Sequence, residues 1–133
     1  MTRESNHKEL FTPFSEWIRN CHHIRSEKKF TLTDIDFVWK NYETGYWILM
    51  EEKCKMSDLT FAQEKTFVEL DKTARNDPYY NGFYVVRFEN TTPDDGNFVV
   101  RHLEFGEFRV TSMPLFLEFV VSENTPNDRK VWY

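Results

Sequence analysis

Two β-forming runs separated by a tight turn constrain this chain more than any other feature. Residues 34–40 read DIDFVWK and residues 46–53 read YWILMEEK, both rich in the β-branched and aromatic side chains that suit a pleated surface. Between them, Tyr42-Glu43-Thr44-Gly45 has turn chemistry. Together they predict a β-hairpin. Side chains alternate across a strand, so Asp34 and Asp36 share one face, and so do Glu51 and Lys53. A turn centred between Glu43 and Thr44 sets Asp36 opposite Glu51 and Asp34 opposite Lys53, with cross-strand Cβ atoms about 5 Å apart. An Asp and a Glu at that separation can hold one hard divalent cation through oxygen. Glu51 ends the apolar run Tyr46–Met50, which predicts a buried strand. A carboxylate there is costly unless it is paired or bound to a metal. Lys53 lies on the same side, where its ammonium could hold a scissile phosphate or orient a water whose pKa the metal lowers.

The flanking segments are helical or extended. Residues 8–20, KELFTPFSEWIRN, predict a helix with Thr12 as cap and Pro13 in its first turn. Its apolar residues Phe14, Trp17 and Ile18 fall on one face. Residues 60–75 predict a second, amphipathic helix with Asp58 or Ser57 as cap, Phe61, Phe67, Val68 and Leu70 as its apolar face, and Asp77-Pro78 as its stop. Residues 82–89 predict a third strand, Thr92-Pro93-Asp94-Asp95-Gly96 a turn, and 97–103 a fourth strand. Residues 107–121 hold a further strand or a short helix. The order α-β-β-α-β, then mostly β, predicts an α/β or α+β fold with a mixed central sheet and flanking helices, in a single domain over residues 1–133.

An aspartate, an apolar run, a turn, a second apolar run and then Glu-x-Lys make up a pattern that resembles the PD-(D/E)XK nuclease superfamily. Here it reads Asp36-Phe37-Val38-Trp39, then Met50-Glu51-Glu52-Lys53. The text TDIDFVW…WILMEEKCK is similar to small Holliday-junction-resolvase-like proteins and phage nucleases, although the proline of the motif's name is absent. The resemblance covers roughly residues 9–90 and leaves 91–133 unexplained. It implies a restriction-endonuclease-like core and a metal-dependent endonuclease that hydrolyses DNA, with Asp36, Glu51 and Lys53 as catalytic residues and Mg²⁺ or Mn²⁺ as cofactor. Asp34 is the rival to Asp36, or its supporting partner. Glu16, with Glu9 behind it, matches the glutamate that many members add from the first helix as a metal ligand, and the Glu52 carbonyl is a further candidate ligand. Gln63 matches the Gln-x-x-x-aromatic element of RecB-type nucleases, and Lys55 is placed to touch phosphate.

Charge bears on partners. The chain carries 17 basic and 22 acidic side chains, a net −5, which argues mildly against non-specific nucleic-acid binding. Residues 1–30 nevertheless carry six basic and four acidic groups. The dense stretch Arg19, Arg25, Lys28 and Lys29, with His22 and His23 between them, is the candidate DNA contact; the alternative is a solvated helix end. His7, His22 and His23 read as surface residues, since no Cys/His cluster has zinc spacing. His102 and Cys54 read as packing, Cys21 has no evident catalytic partner, and most of Tyr79, Tyr80, Phe83 and Tyr84 read as core. There is no glycine-rich phosphate loop and no Gly-x-Ser-x-Gly elbow. No apolar run approaches the ~20 residues that span a bilayer, and Met1–Leu10 is polar throughout. The expectation is a cytoplasmic protein, in keeping with a phage or mobile-element source, that binds DNA and no membrane, with a homodimer suited to the case in which both strands of a duplex or junction are cut. Two rivals remain: a non-catalytic nucleic-acid-binding or regulatory protein on a nuclease-like fold, and a metal-free protein-interaction adaptor.

Overall fold

The computed structural model describes residues 12–21 and 33–122. The chain divides into two compact units, Met1–Asp34 and Ile35–Tyr133. In the first, helix α1 spans Pro13–Arg19. Pro13 sits where no intrahelical N–H is required, and the Thr12 hydroxyl accepts the Ser15 N–H at 3.2 Å. Phe14 and Trp17 stack on each other with ring centroids 5.8 Å apart.

The second unit is a mixed sheet of five strands in the order β1-β2-β3-β4-β5 with two helices, an α+β arrangement. Strands β1 (Phe37–Lys40) and β2 (Trp47–Lys53) form the expected hairpin, with Phe37 facing Met50 and Lys40 facing Trp47. Gly45 completes the turn at φ +81, a backbone setting that glycine takes without cost. The chain then crosses through helix α2 (Phe61–Ala74) to β3 (Tyr80–Phe88), which runs parallel to β2. Strands β4 (Phe98–His102) and β5 (Gly106–Phe108) extend the sheet antiparallel. Helix α3 (Met113–Phe119) follows. Residues 107–121, read as a strand or a helix, contain the end of one and the whole of the other. Among the described residues no helix is long and apolar enough to cross a membrane.

Alternation along β2 and β3 divides the core in two. Ile48, Tyr84, Val86 and Val100 point to one face and pack with Phe116, Met113 and Val120 of the α3 segment. Leu49, Phe83 and Val85 point to the other and pack with Phe67 of α2. Burying each such side chain contributes about 1.5–3 kcal/mol. The end of α3 is tied to the sheet by three side-chain donors. Trp39 Nε1, Asn81 Nδ2 and the Thr44 hydroxyl donate to the carbonyls of Leu117, Val120 and Val121 at 3.0, 2.7 and 2.6 Å, satisfying groups that a helix end leaves open. On the other face, buried Asp71 of α2 accepts the Tyr80 hydroxyl at 2.6 Å and Arg75 at 3.2 Å. Burial and the Asp71 carboxylate push the Tyr80 phenol well above its ordinary pKa, so it stays a neutral donor.

Several local expectations are corrected. The cap of α2 is Thr60, not Asp58 or Ser57. Its hydroxyl accepts the Gln63 N–H while the Gln63 side chain accepts the Thr60 N–H, a capping box that offers two bonds where Asp58 or Ser57 would offer one. Phe61 is not part of the apolar face; as the first helical residue it projects into solvent, with the Lys65 ammonium 5.1 Å from its ring centre. Strand β1 starts at Phe37 rather than at residue 34. Cys54 is half-buried rather than core, because β2 ends at Lys53. His102 packs as expected: it is buried edge-on to Tyr84, and its Nδ1 accepts the N–H groups of Glu104 and Phe105. Gly82 makes room for it, since a Cβ there would lie 2.7 Å from His102 Nε2. Tyr80, Phe83 and Tyr84 are buried and Tyr79 is half-exposed.

Candidate active site

Residues 49, 51 and 53 share the face of β2 that α2 covers, because Leu49 packs with Phe67 and side chains alternate. Glu51 therefore enters the α2 side of the sheet, 4% exposed, with Val85 of β3 as its neighbour. This is the carboxyl end of the parallel pair β2 and β3, the end at which open sheets with parallel strands bind ligands.

Asp36 is brought against Glu51 by a reciprocal exchange. The Asp36 N–H donates to Glu51 Oε1 at 3.1 Å, and the Glu52 N–H donates to Asp36 Oδ2 at 2.9 Å. The Asp36 carboxylate thus takes the Glu52 N–H, a β2 donor beyond the last ladder pair, at the point where β1 stops at Phe37. The register expected from the turn is the one observed, and its extension places Asp36 beside Glu51. Burial first, then the neighbouring Asp36 charge and a hydrogen bond between the two carboxyls, raise the Glu51 pKa to about 7 against the opposing pull of the Asp36 N–H and the Lys53 charge. The two acids and the amine are therefore in electrostatic contact.

Lys53 is held by Gln63. Gln63 Oε1 accepts the Lys53 ammonium at 2.9 Å while also accepting the Thr60 N–H at 3.0 Å. The residue that completes the capping box of α2 is the residue that holds Lys53. Beyond Lys53 the chain turns through Lys55 and Met56, both left-handed at φ 54 and 53. Such settings cost non-glycine residues about 1–3 kcal/mol each. They are sustained by main-chain bonds from Lys55 and Met56 to Asn90 and Phe88, and by Arg87, which donates to the carbonyls of Met56 and Ser57 at 2.9 and 3.2 Å. Lys55 itself is exposed.

The other sequence candidates lie elsewhere. Asp34 does not extend the ladder toward Lys53; its carboxylate pairs with Arg19 at 2.8 Å, within the first unit. Arg19 is thereby engaged by an acid. Glu16 is exposed on the first turn of α1 in that unit. Glu9, Arg25, Lys28, Lys29, His7, His22 and His23 lie outside the described residues. Among the described residues no three His, Cys, Asp or Glu groups gather to hold a metal. What the structure brings together is Asp36, Glu51, Lys53 and Gln63, with the Glu52 N–H. Sequence reasoning missed Arg101 of β4, whose guanidinium forks onto Glu64 of α2 at 2.8 and 2.6 Å. Alternation along 97–103 places Arg101 on the face of Val99, but nothing local names Glu64 as its partner.

The donor set suits a small hard cation. Mg²⁺ is commonly bound through one or two carboxylates, with water and substrate phosphate completing its shell. A pair of adjoining carboxyl groups, one of them buried and repelled by the other, fits that description. Compared with known proteins, the chain matches no family model, no curated protein and no solved structure.

Proposed function

We propose that this protein is a metal-dependent endonuclease of the PD-(D/E)XK type that hydrolyses DNA phosphodiester bonds. The reading rests on one observation: the Asp36 and Glu51 carboxyls meet on the α2 side of the sheet within electrostatic reach of Lys53. Mg²⁺ or Mn²⁺ would be held by Asp36 and Glu51, with the Glu52 carbonyl as a further candidate from the family pattern. When bound, such an ion neutralises the paired acids and makes water nucleophilic near neutral pH. Lys53, restrained by Gln63, offers its ammonium to a phosphate oxygen whose charge grows as the new P–O bond forms and the ester P–O bond breaks. DNA as the substrate comes from the family resemblance, a homodimer from the small footprint of a 133-residue chain, and contacts from Arg19, Arg25, Lys28, Lys29 and Lys55 from the charge pattern of the sequence; all belong to the proposal.

The test is incubation of supercoiled, linear, single-stranded and branched DNA with the protein and Mg²⁺ or Mn²⁺. Wild type should cut at least one of these, and Asp36→Asn, Glu51→Gln and Lys53→Ala should each lose about 10²-fold or more. No cutting of any substrate by folded wild type would overturn the reading. The net charge of −5 favours a second reading, a regulatory or binding protein on the same scaffold. It predicts retained DNA binding, by mobility shift, with no cleavage.

A further inference from the structure

The first turn of α2 is fastened to the sheet at two polar points. One is Gln63 on Lys53 of β2; the other is Glu64 on Arg101 of β4. Arg101 faces Val85, and Val85 faces Glu51, so the two charged residues stand in one row across three strands with a fully buried valine between them. Arg101 is thus mounted on a strand paired on both sides, beside a fully buried valine. Its guanidinium takes both oxygens of Glu64, and Asp58, two residues before the cap, lies 4.0 Å away. The fork on Glu64 raises the Arg101 pKa above its already high ordinary value, so the guanidinium keeps its charge.

We infer that Arg101 is a positioning residue for Lys53: its fork on Glu64 fixes the first turn of α2, and with it Gln63, the acceptor that holds the Lys53 ammonium. The inference rests on the proposed role of Lys53 in phosphodiester hydrolysis. Lysine has a flexible four-carbon stem and a point charge, so its location is set by what receives it. Here the receiver is a single oxygen already committed to the helix cap, and it cannot adjust to Lys53 independently of that cap. A bidentate fork fixes angle as well as distance. A displacement of about 1 Å in a group that aligns a reaction can lower the rate about a hundredfold.

The experiment uses Arg101→Gln, Glu64→Gln and their double variant in the full chain, read in two ways. Single-turnover DNA cleavage should slow about ten- to hundredfold in each, the double variant no slower than the singles, with KM and Mn²⁺ affinity within twofold of wild type. The ¹³Cε resonance of Lys53 in metal-free, DNA-free protein should shift in all three. Wild-type cleavage rates, or a Lys53 resonance unchanged in the folded variants, would overturn the inference. If wild type cuts no DNA, the endonuclease reading fails, and the Lys53 resonance still decides the positioning role. Should Arg101→Gln melt below the working temperature, Arg101→Lys keeps the charge without the fork and should show the same losses.

Discussion

Glu51 takes its chemistry from the alternation of β2. Placed one residue earlier or later it would face α3; at 51 it lies under α2 against Asp36. Its pKa of about 7 makes stability depend on pH in a defined direction. The folded state binds this proton more tightly than the unfolded chain does, where the carboxyl titrates near 4.5. In the metal-free protein the stabilising contribution of this proton is therefore fully present below the unfolded value and is lost as pH rises through about 7. Glu51→Gln should remove that slope and raise the melting temperature of metal-free protein above neutral pH, measured by thermal melts across the acid-to-neutral range. A wild-type stability that climbs over this range would contradict the assignment. The Asp36–Glu51 juxtaposition was legible because a short turn and a period of two leave one register. The Arg101–Glu64 fork was not, because it joins residues of a helix and a strand that only the packing of α2 brings together. Phe61 was misread for a related reason: helical spacing gives a face, but at a first turn the core no longer lies beneath it.

At the scale of elements, the start of α2 does more than begin a helix. The capping box of Thr60 and Gln63 also sets the height of Lys53. Thr60→Ala should cost about 1 kcal/mol. Gln63→Ala should cost a similar amount, and the double variant less than their sum, because both belong to one box. Denaturant titration of the three variants checks this; full additivity would mean that the box does not act as a unit. The hairpin, α2 and β3 could be read from pattern because each has its own periodicity and turn residues. Strand β1 came out three residues short because the Asp36 carboxylate takes the Glu52 N–H of β2 where the ladder would continue, which propensity does not register. Beyond residue 103 the elements are short, β5 at three residues and α3 at seven. Their identity depends on closing the face opposite α2, and the sequence there allowed either a strand or a helix.

For the second unit as a whole, the sheet is a partition. One face builds a core with α3, and the other is shared between the α2 core and the charged set that begins at Glu51. Phe116→Ala, on the α3 face, should destabilise by about 3–5 kcal/mol through cavity formation. It should leave Mn²⁺ affinity unchanged in the molecules that remain folded, since the carboxyl pair stands on the opposite face. Denaturation together with metal titration measures both, and a loss of affinity out of proportion to unfolding would show that the two faces are not independent. Calorimetric titration of Mn²⁺ into the full chain tests whether Asp36 and Glu51 form one cation site. One site is expected, whose heat changes between buffers of different ionisation enthalpy because binding displaces the Glu51 proton, and Glu51→Gln should abolish this binding. No binding by folded wild type, or undiminished binding by Glu51→Gln, would contradict that expectation.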